Sequence, residues 1–223
     1  MQRVAYGDHP SQFGELTLPE LEPRGAVVVI HGGFWHQRYG LELGRPLAVD
    51  LVGRGYAVWN IEYRRVEGGG GWPSTMDDVL AAVDAVDLGP VVALGHSAGG
   101  HLAVYAAKHS AKVIGAVAQA GVLDFELHPQ ITKRAAELLG GMPDEVPERY
   151  AAASPARLVP IGKPVICVHG QIDEDVPVEQ STSFPGAEVH VLEGVGHMEL
   201  IDVGTAAWGT CRQAVDRLVG ACY

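Results

Sequence analysis

Apolar residues along this chain fall into two patterns. Three short uninterrupted runs, AVVVI at 26–30, VVAL at 91–94 and VICV at 165–168, are each followed at once by glycine-containing turn residues. A run with no polar alternation predicts a strand covered on both faces. Between the runs, segments 41–52, 75–86, 98–109 and 206–219 have the length of crossover helices. Further strands are predicted at 56–61, 113–118 and 188–192, with an antiparallel edge strand at 15–18 ahead of Pro19. Strand and helix therefore alternate, which predicts an α/β fold: a mostly parallel central sheet with helices on both faces and its functional loops beyond the carboxyl ends of the strands. No linker or repeat interrupts 1–223, so one domain is expected. The stretch 122–160 carries Pro129, Pro143, Pro147, Pro155 and Pro160 and predicts a small lid-like insertion with helical pieces at 132–139 and 147–153.

Composition narrows the function classes. The chain has 223 residues, 47% hydrophobic and 19% charged, enough for a core without disulfide or metal support. A net charge of −11 sets a field that repels phosphate backbones and anionic lipid, so neither nucleic acid nor membrane is an expected partner. Cys167, Cys211 and Cys222 form no C-x-x-C spacing and read as reduced thiols. The first ten residues include Arg3, Asp8 and His9 with no apolar stretch, so no secretory signal is read there and a cytoplasmic location is expected. No cofactor or metal is called for, and oligomeric state is not legible.

The most specific local signal is Gly95-His96-Ser97-Ala98-Gly99, a G-x-S-x-G sequence between the VVAL strand and the 98–109 segment. Strand before and helix after make this a nucleophile elbow: glycines give the tight turn room, Ser97 stands above the sheet, and the helix N-terminus favours a nearby anion. A serine hydroxyl needs a base, and the base needs an orienter. His197, in the loop Gly194-Val195-Gly196-His197 after the 188–192 strand, is the predicted base. Asp173, the first acid after the turn that follows the VICV strand, is the predicted orienter, with Asp175 as runner-up. Ser97 is expected within hydrogen-bond reach of His197 Nε2, with Asp173 on Nδ1. His31-Gly32-Gly33-Phe34-Trp35, after the AVVVI strand, predicts an oxyanion hole from the N–H of Gly33 or Phe34 together with that of Ala98. Phe34, Trp35 and Trp72 lie on loops that border a pocket and read equally as substrate contacts or as packing. His96 is a candidate substrate contact or packing residue.

The four elements HGGFW, GHSAGG, HGQID and GVGH resemble the α/β-hydrolase superfamily over nearly the whole chain. Together with YGDHPSQFGELTLP near the N-terminus, HGGFW and GHSAGGHLA resemble its kynurenine formamidase-like and small carboxylesterase branch. The resemblance implies the α/β-hydrolase fold, Ser97 as nucleophile with Asp173 and His197 as partners, and the strand-exit glycines as oxyanion hole. Phe34 stands where the HGGG pattern of hormone-sensitive-lipase relatives has a third glycine. The expected activity is metal-independent serine hydrolysis of a small ester. Competing readings are an arylformamidase acting on N-formylkynurenine-like amides, a prolyl-oligopeptidase-type peptidase, whose gating domain is absent from 1–223, and a non-catalytic binding protein that keeps the fold.

Overall fold

A computed structural model describes residues 1–221, so Cys222 lies outside the described residues. Its centre is an eight-stranded sheet in the order β1-β2-β4-β3-β5-β6-β7-β8. The chain opens with β1 (Gln2–Ala5) and β2 (Phe13–Thr17), an antiparallel pair, followed by β3 (Ala26–Ile30). Then α1 (Arg45–Gly53) leads to β4 (Ala57–Ile61), α2 (Ser74–Asp84) to β5 (Val91–His96), and α3 (Ala98–His109) to β6 (Val113–Gln119). The inserted stretch contributes α4 (Pro129–Leu139) and α5 (Pro147–Ala153). Next come β7 (Val165–Gly170), the short α6 (Glu179–Thr182), β8 (Glu188–Leu192) and α7 (Ala206–Gly220). From β4 to β8 every neighbouring pair is parallel.

The uninterrupted apolar runs behave as expected, since β3, β5 and β7 are buried at every position. Successive side chains point to opposite faces. Val28 and Ile30 join a core with α2 and α3 residues such as Val79 and Leu102, whereas Val27 and Val29 join one with Leu47 and Leu51 of α1 and Trp208 and Val215 of α7. By contrast β8, at the sheet edge, is only partly covered.

Three expectations change. The strand expected at 15–18 begins earlier, as β2, and is not an edge: it pairs with β4 on one side and with β1 on the other. Strand β1 is short, polar and exposed, so no apolar pattern announces it. The single helix expected at 41–52 is a 3-10 turn, Leu41–Gly44, followed by α1, whose second residue is Pro46. Proline has no N–H to give to the preceding turn, so it opens a helix instead of continuing one.

Candidate active site

Strand β5 ends in a turn that forces Ser97 into a left-handed conformation, φ 57° and ψ −119°, before α3 begins at Ala98. No side chain other than hydrogen fits on either flank: a Cβ at Gly95 would lie 2.0 Å from Gly99 O, and one at Gly99 would lie 2.1 Å from Ile30 O. The Ser97 N–H donates to Gln119 O on β6 at 2.8 Å, which locks the turn to the sheet. The loop after β3 runs against this elbow, since a Cβ at Gly32 would meet His96 O at 2.6 Å and Ser97 Cβ at 3.0 Å.

The loop after β7 brings up the acid. Asp173 Oδ2 accepts from His197 Nδ1 at 2.7 Å, and Oδ1 accepts from the N–H of Asp175 and Val176 at 2.9 and 2.8 Å. Burial by itself would raise the Asp173 carboxyl, but hydrogen bonds from His169, His197 and the Val176 N–H outweigh it and hold the group well below the usual carboxylate range. Asp175 contributes its backbone N–H to this cap and lines the cleft, while the contact to His197 is made by Asp173, so the choice between the two acids falls on Asp173. His197 lines the cleft together with Ser97. No hydrogen bond joins Ser97 Oγ to His197 among the described residues, contrary to the expected contact, although both residues line one cleft.

The cleft encloses about 120 Å³ and is lined by Gly33, Phe34, Tyr39, Leu43, His96, Ser97, Asp175, His197 and Met198. Gly33 and Phe34 are therefore where the oxyanion donors are expected, and Ala98 is the first residue of α3. Among the described residues, the N–H groups of Gly33, Phe34 and Ala98 donate to no protein acceptor.

His96, read as a substrate contact or packing residue, does line the cleft. Its Nε2 donates to His197 O at 3.0 Å, and the two ring centroids lie 4.4 Å apart with the planes tilted by 47°. Burial, followed by the neighbouring His197, pushes its pKa from the usual 6.5 down to about 3, so it is a neutral prop under the base. Trp35 and Trp72 are corrected toward packing. Trp35 is completely buried, its indole N–H donating to His101 Nδ1 at 3.2 Å and its ring edge-on to Phe125. Positive φ at both Phe34 (49°) and Trp35 (59°) sends the two neighbours apart, Phe34 to the cleft and Trp35 into the core. Trp72 packs against the core and does not line the cleft. The 122–160 insertion also supplies no lining residue. Its apolar positions Ile131, Ala135, Leu138 and Tyr150 are buried in the core, and the cleft walls come from Tyr39, Leu43 and Met198 instead.

Two residues with a clear place in the site were not singled out from the sequence. His169, at the end of β7, is fully buried. It takes a hydrogen bond between Nδ1 and Ser181 Oγ (2.7 Å), gives Nε2 to Val176 O (2.8 Å), and lies 3.4 Å from Asp173 Oδ2. Its signal was the histidine of HGQID, four residues ahead of the acid. Gln119 accepts from Ser97 through its backbone and donates through its side-chain amide to Leu200 O at 2.7 Å, in the 3-10 turn Met198–Ile201 that follows His197. Among the described residues, no group of three or more His, Cys, Asp or Glu side chains is arranged to hold a metal ion, and no helix is long and apolar enough to cross a membrane.

Residues 16–187 match the model of the BD-FAE family, a span that includes Ser97 and Asp173 and stops ten residues short of His197. The chain is similar to Esterase LipC of Mycobacterium tuberculosis (strain ATCC 25618 / H37Rv), 27% identical over an alignment that takes in 91% of this chain and 59% of that protein. It thus spans about six-tenths of the length of that relative. A solved truncated carbohydrate esterase from gut microbiota superposes with a TM-score of 0.83 at 20% identity, covering 99% of this chain and 96% of the other. The thermophilic esterase Est2 of Thermogutta terrifontis superposes at 0.76 and 22% identity, covering 98% and 91%. The shared architecture is the α/β-hydrolase fold.

Proposed function

The chain belongs to the BD-FAE family, and from that premise we propose that it is a serine hydrolase of small carboxylic esters working through an acyl-enzyme. The observation that carries this reading is the His197 imidazole, held by Asp173 on Nδ1 in the cleft that it lines together with Ser97. In the proposed cycle Ser97 Oγ attacks the ester carbonyl while His197 Nε2 takes the hydroxyl proton. Asp173 keeps the imidazole in the tautomer that allows this and stabilises the imidazolium that forms. The developing oxyanion takes the N–H of Gly33 or Phe34 together with that of Ala98, groups that carry no other acceptor. The proton then passes from His197 to the leaving alkoxide, the alcohol departs, and water repeats the sequence on the acyl-enzyme to release the acid.

Cleft size supports a short acyl group, since about 120 Å³ is well below the roughly 300–1,000 Å³ of drug-sized ligand sites. That LipC and the structural neighbour Est2 are esterases supports the reaction class. Phe34 and Tyr39 on the cleft wall favour a second reading, an arylformamidase that removes the smallest acyl group from a flat aromatic amine. Cys167 and Cys211 are buried free thiols, which supports the cytoplasmic reading.

A fluorophosphonate probe is expected to label the wild-type protein at Ser97 and to leave Ser97→Ala unlabelled. In a panel of p-nitrophenyl acetate, butyrate and octanoate with N-formylkynurenine, turnover is expected to fall with chain length. Turnover of the formyl amide above the acetate would favour the second reading. Absence of labelling in the wild type would return the chain to a binding protein on a hydrolase fold.

A further inference from the structure

His31 opens the segment that carries the candidate oxyanion donors, and its side chain is fully excluded from solvent. Its two ring nitrogens both face oxygens: Nδ1 is 2.8 Å from Gly32 O, and Nε2 is 2.9 Å from Glu62 Oε1. A backbone carbonyl can only accept. Glu62 is likewise surrounded by groups that can only donate: the N–H of Tyr63 on Oε1 (2.9 Å), the N–H of Leu41 on Oε2 (3.1 Å), and the Arg65 guanidinium on Oε1. Such a ring of donors requires the carboxylate form. Burial would raise the Glu62 carboxyl, but the hydrogen bond and charge of His31, then Arg65, outweigh it and lower it. Neither ring nitrogen of His31 has a donor to accept from, so both must carry hydrogen.

The other buried histidines differ on this point. His101 Nδ1 accepts from the Trp35 indole, and His169 Nδ1 sits on the Ser181 hydroxyl, so each can be satisfied as a neutral ring. We infer that His31 is held as an imidazolium, donating from both ring nitrogens, and that this buried cation positions the 31–35 segment and adds fixed positive charge behind the oxyanion donors. The first half stands on hydrogen-bond geometry alone; the second rests on the ester-hydrolase reading.

Charges around the ring fit this state. Arg65 opposes a second cation, but two carboxylates face the cluster: Glu62 Oε2 and Glu42 Oε2 both lie within 2.7 Å of the point where Gly40 would carry a Cβ. Glu62 is buried between His31 and Arg65, whereas Glu42 is exposed at the edge of the cluster. The Tyr63 ring stacks on His31 at 4.4 Å and 11°, a face an imidazolium prefers, and its hydroxyl donates to His31 O. Tyr6, the remaining titratable neighbour, donates its hydroxyl to Glu62 O. Arg65 continues outward to Tyr39 O, so one network holds the oxyanion segment and the Tyr39 wall of the cleft. His31 is two residues ahead of Gly33 and is bound to Glu62 and not to the cleft, which makes it a positioning residue.

The test is the protonation of His31 in the intact protein. With ¹⁵N-histidine labelling, and His31 assigned through its backbone, long-range ¹H–¹⁵N correlation at pH 7 is expected to show two protonated ring nitrogens. Glu62→Gln is expected to convert one of them to the unprotonated type. An unprotonated nitrogen in the wild-type ring at pH 7 would overturn the inference, and this measurement needs no variant to fold. For the electrostatic half, His31→Gln is expected to lower kcat on p-nitrophenyl acetate on the order of tenfold, with KM within about twofold and Ser97 still labelled. A change confined to KM would remove that half. Failure of wild-type Ser97 to label would sink the hydrolase reading and leave the protonation result standing.

Discussion

On the β3 side of the cleft, segment 31–35 is fixed from two directions. His31 is bound into the Glu62 network on one flank, and Trp35 is clamped by His101 and Phe125 on the other, all of them in the core. On the β7–β8 side, Asp173 is equally well held, but His197 sits on a loop that leaves an edge strand, with exposed Glu193, Gly194, Met198 and Glu199 around it. The donors proposed to meet developing charge thus lie on the buried, doubly clamped wall, and the group proposed to shuttle a proton lies on the more exposed one. That division matches what each task requires. Fixed dipoles stabilise charge only if they need not reorganise, whereas a base must serve both the nucleophile and the leaving group at the mouth of the cleft.

The largest expected effect breaks the exposed side. Asp173→Asn keeps the shape but reverses the hydrogen bond that sets the His197 tautomer, and kcat is expected to fall by roughly 10⁴-fold, with a lower melting temperature because the donors from His169, His197 and Val176 lose their charged acceptor. Steady-state hydrolysis of p-nitrophenyl acetate, alongside a melting curve, checks it. A loss under tenfold would mean that Asp175 or another acid orients the base.

The next effect breaks the clamped side. Trp35→Ala is expected to cost about 3–5 kcal/mol of stability, because it empties a large core site and strands the His101 acceptor. Urea unfolding reads this directly. A cost below about 1 kcal/mol would show that the segment is held by His31 alone.

The smallest effect is a pH dependence. Burial pushes His101 from the usual 6.5 down to about 3, so the folded protein refuses a proton that the unfolded chain binds. The stability due to the neutral ring is complete above about pH 6.5 and is lost progressively as pH falls toward 3. His96, under the base, carries the same sign. In His101→Phe the fall of stability between pH 6.5 and 4 is expected to flatten by at most about 1.4 kcal/mol per pH unit, one proton's worth, while the His96 share remains. Urea midpoints at several pH values measure it, and an unchanged slope would show that His101 is not held neutral.

Much of this was legible in the sequence because it rests on local chemistry. Uninterrupted runs such as AVVVI can only be covered strands in an α/β chain. The elbow glycines are dictated by backbone contacts within a few residues, and Asp173 was distinguishable from Asp175 by its distance from the strand end. What was not legible depends on where chains cross. The inward turn of Trp35 follows from backbone angles at two residues that carry no glycine to announce them. His31 and Glu62 meet across adjacent strands 31 residues apart, and His169 gains meaning only when Ser181 and Val176 fold back over it. Strand β1 went unseen because an exposed edge has no apolar code.

Gln119 has a bearing on how this scaffold tolerates change. Its carbonyl takes the Ser97 N–H and its amide takes the carbonyl of Leu200, so nucleophile and base are gauged from one residue of β6, as from a mark on a ruler. Their separation is therefore indifferent to how many residues the chain spends between Thr182 and Glu188 on its way to the sheet edge, and that connection is a natural place to graft new sequence without recalibrating the chemistry.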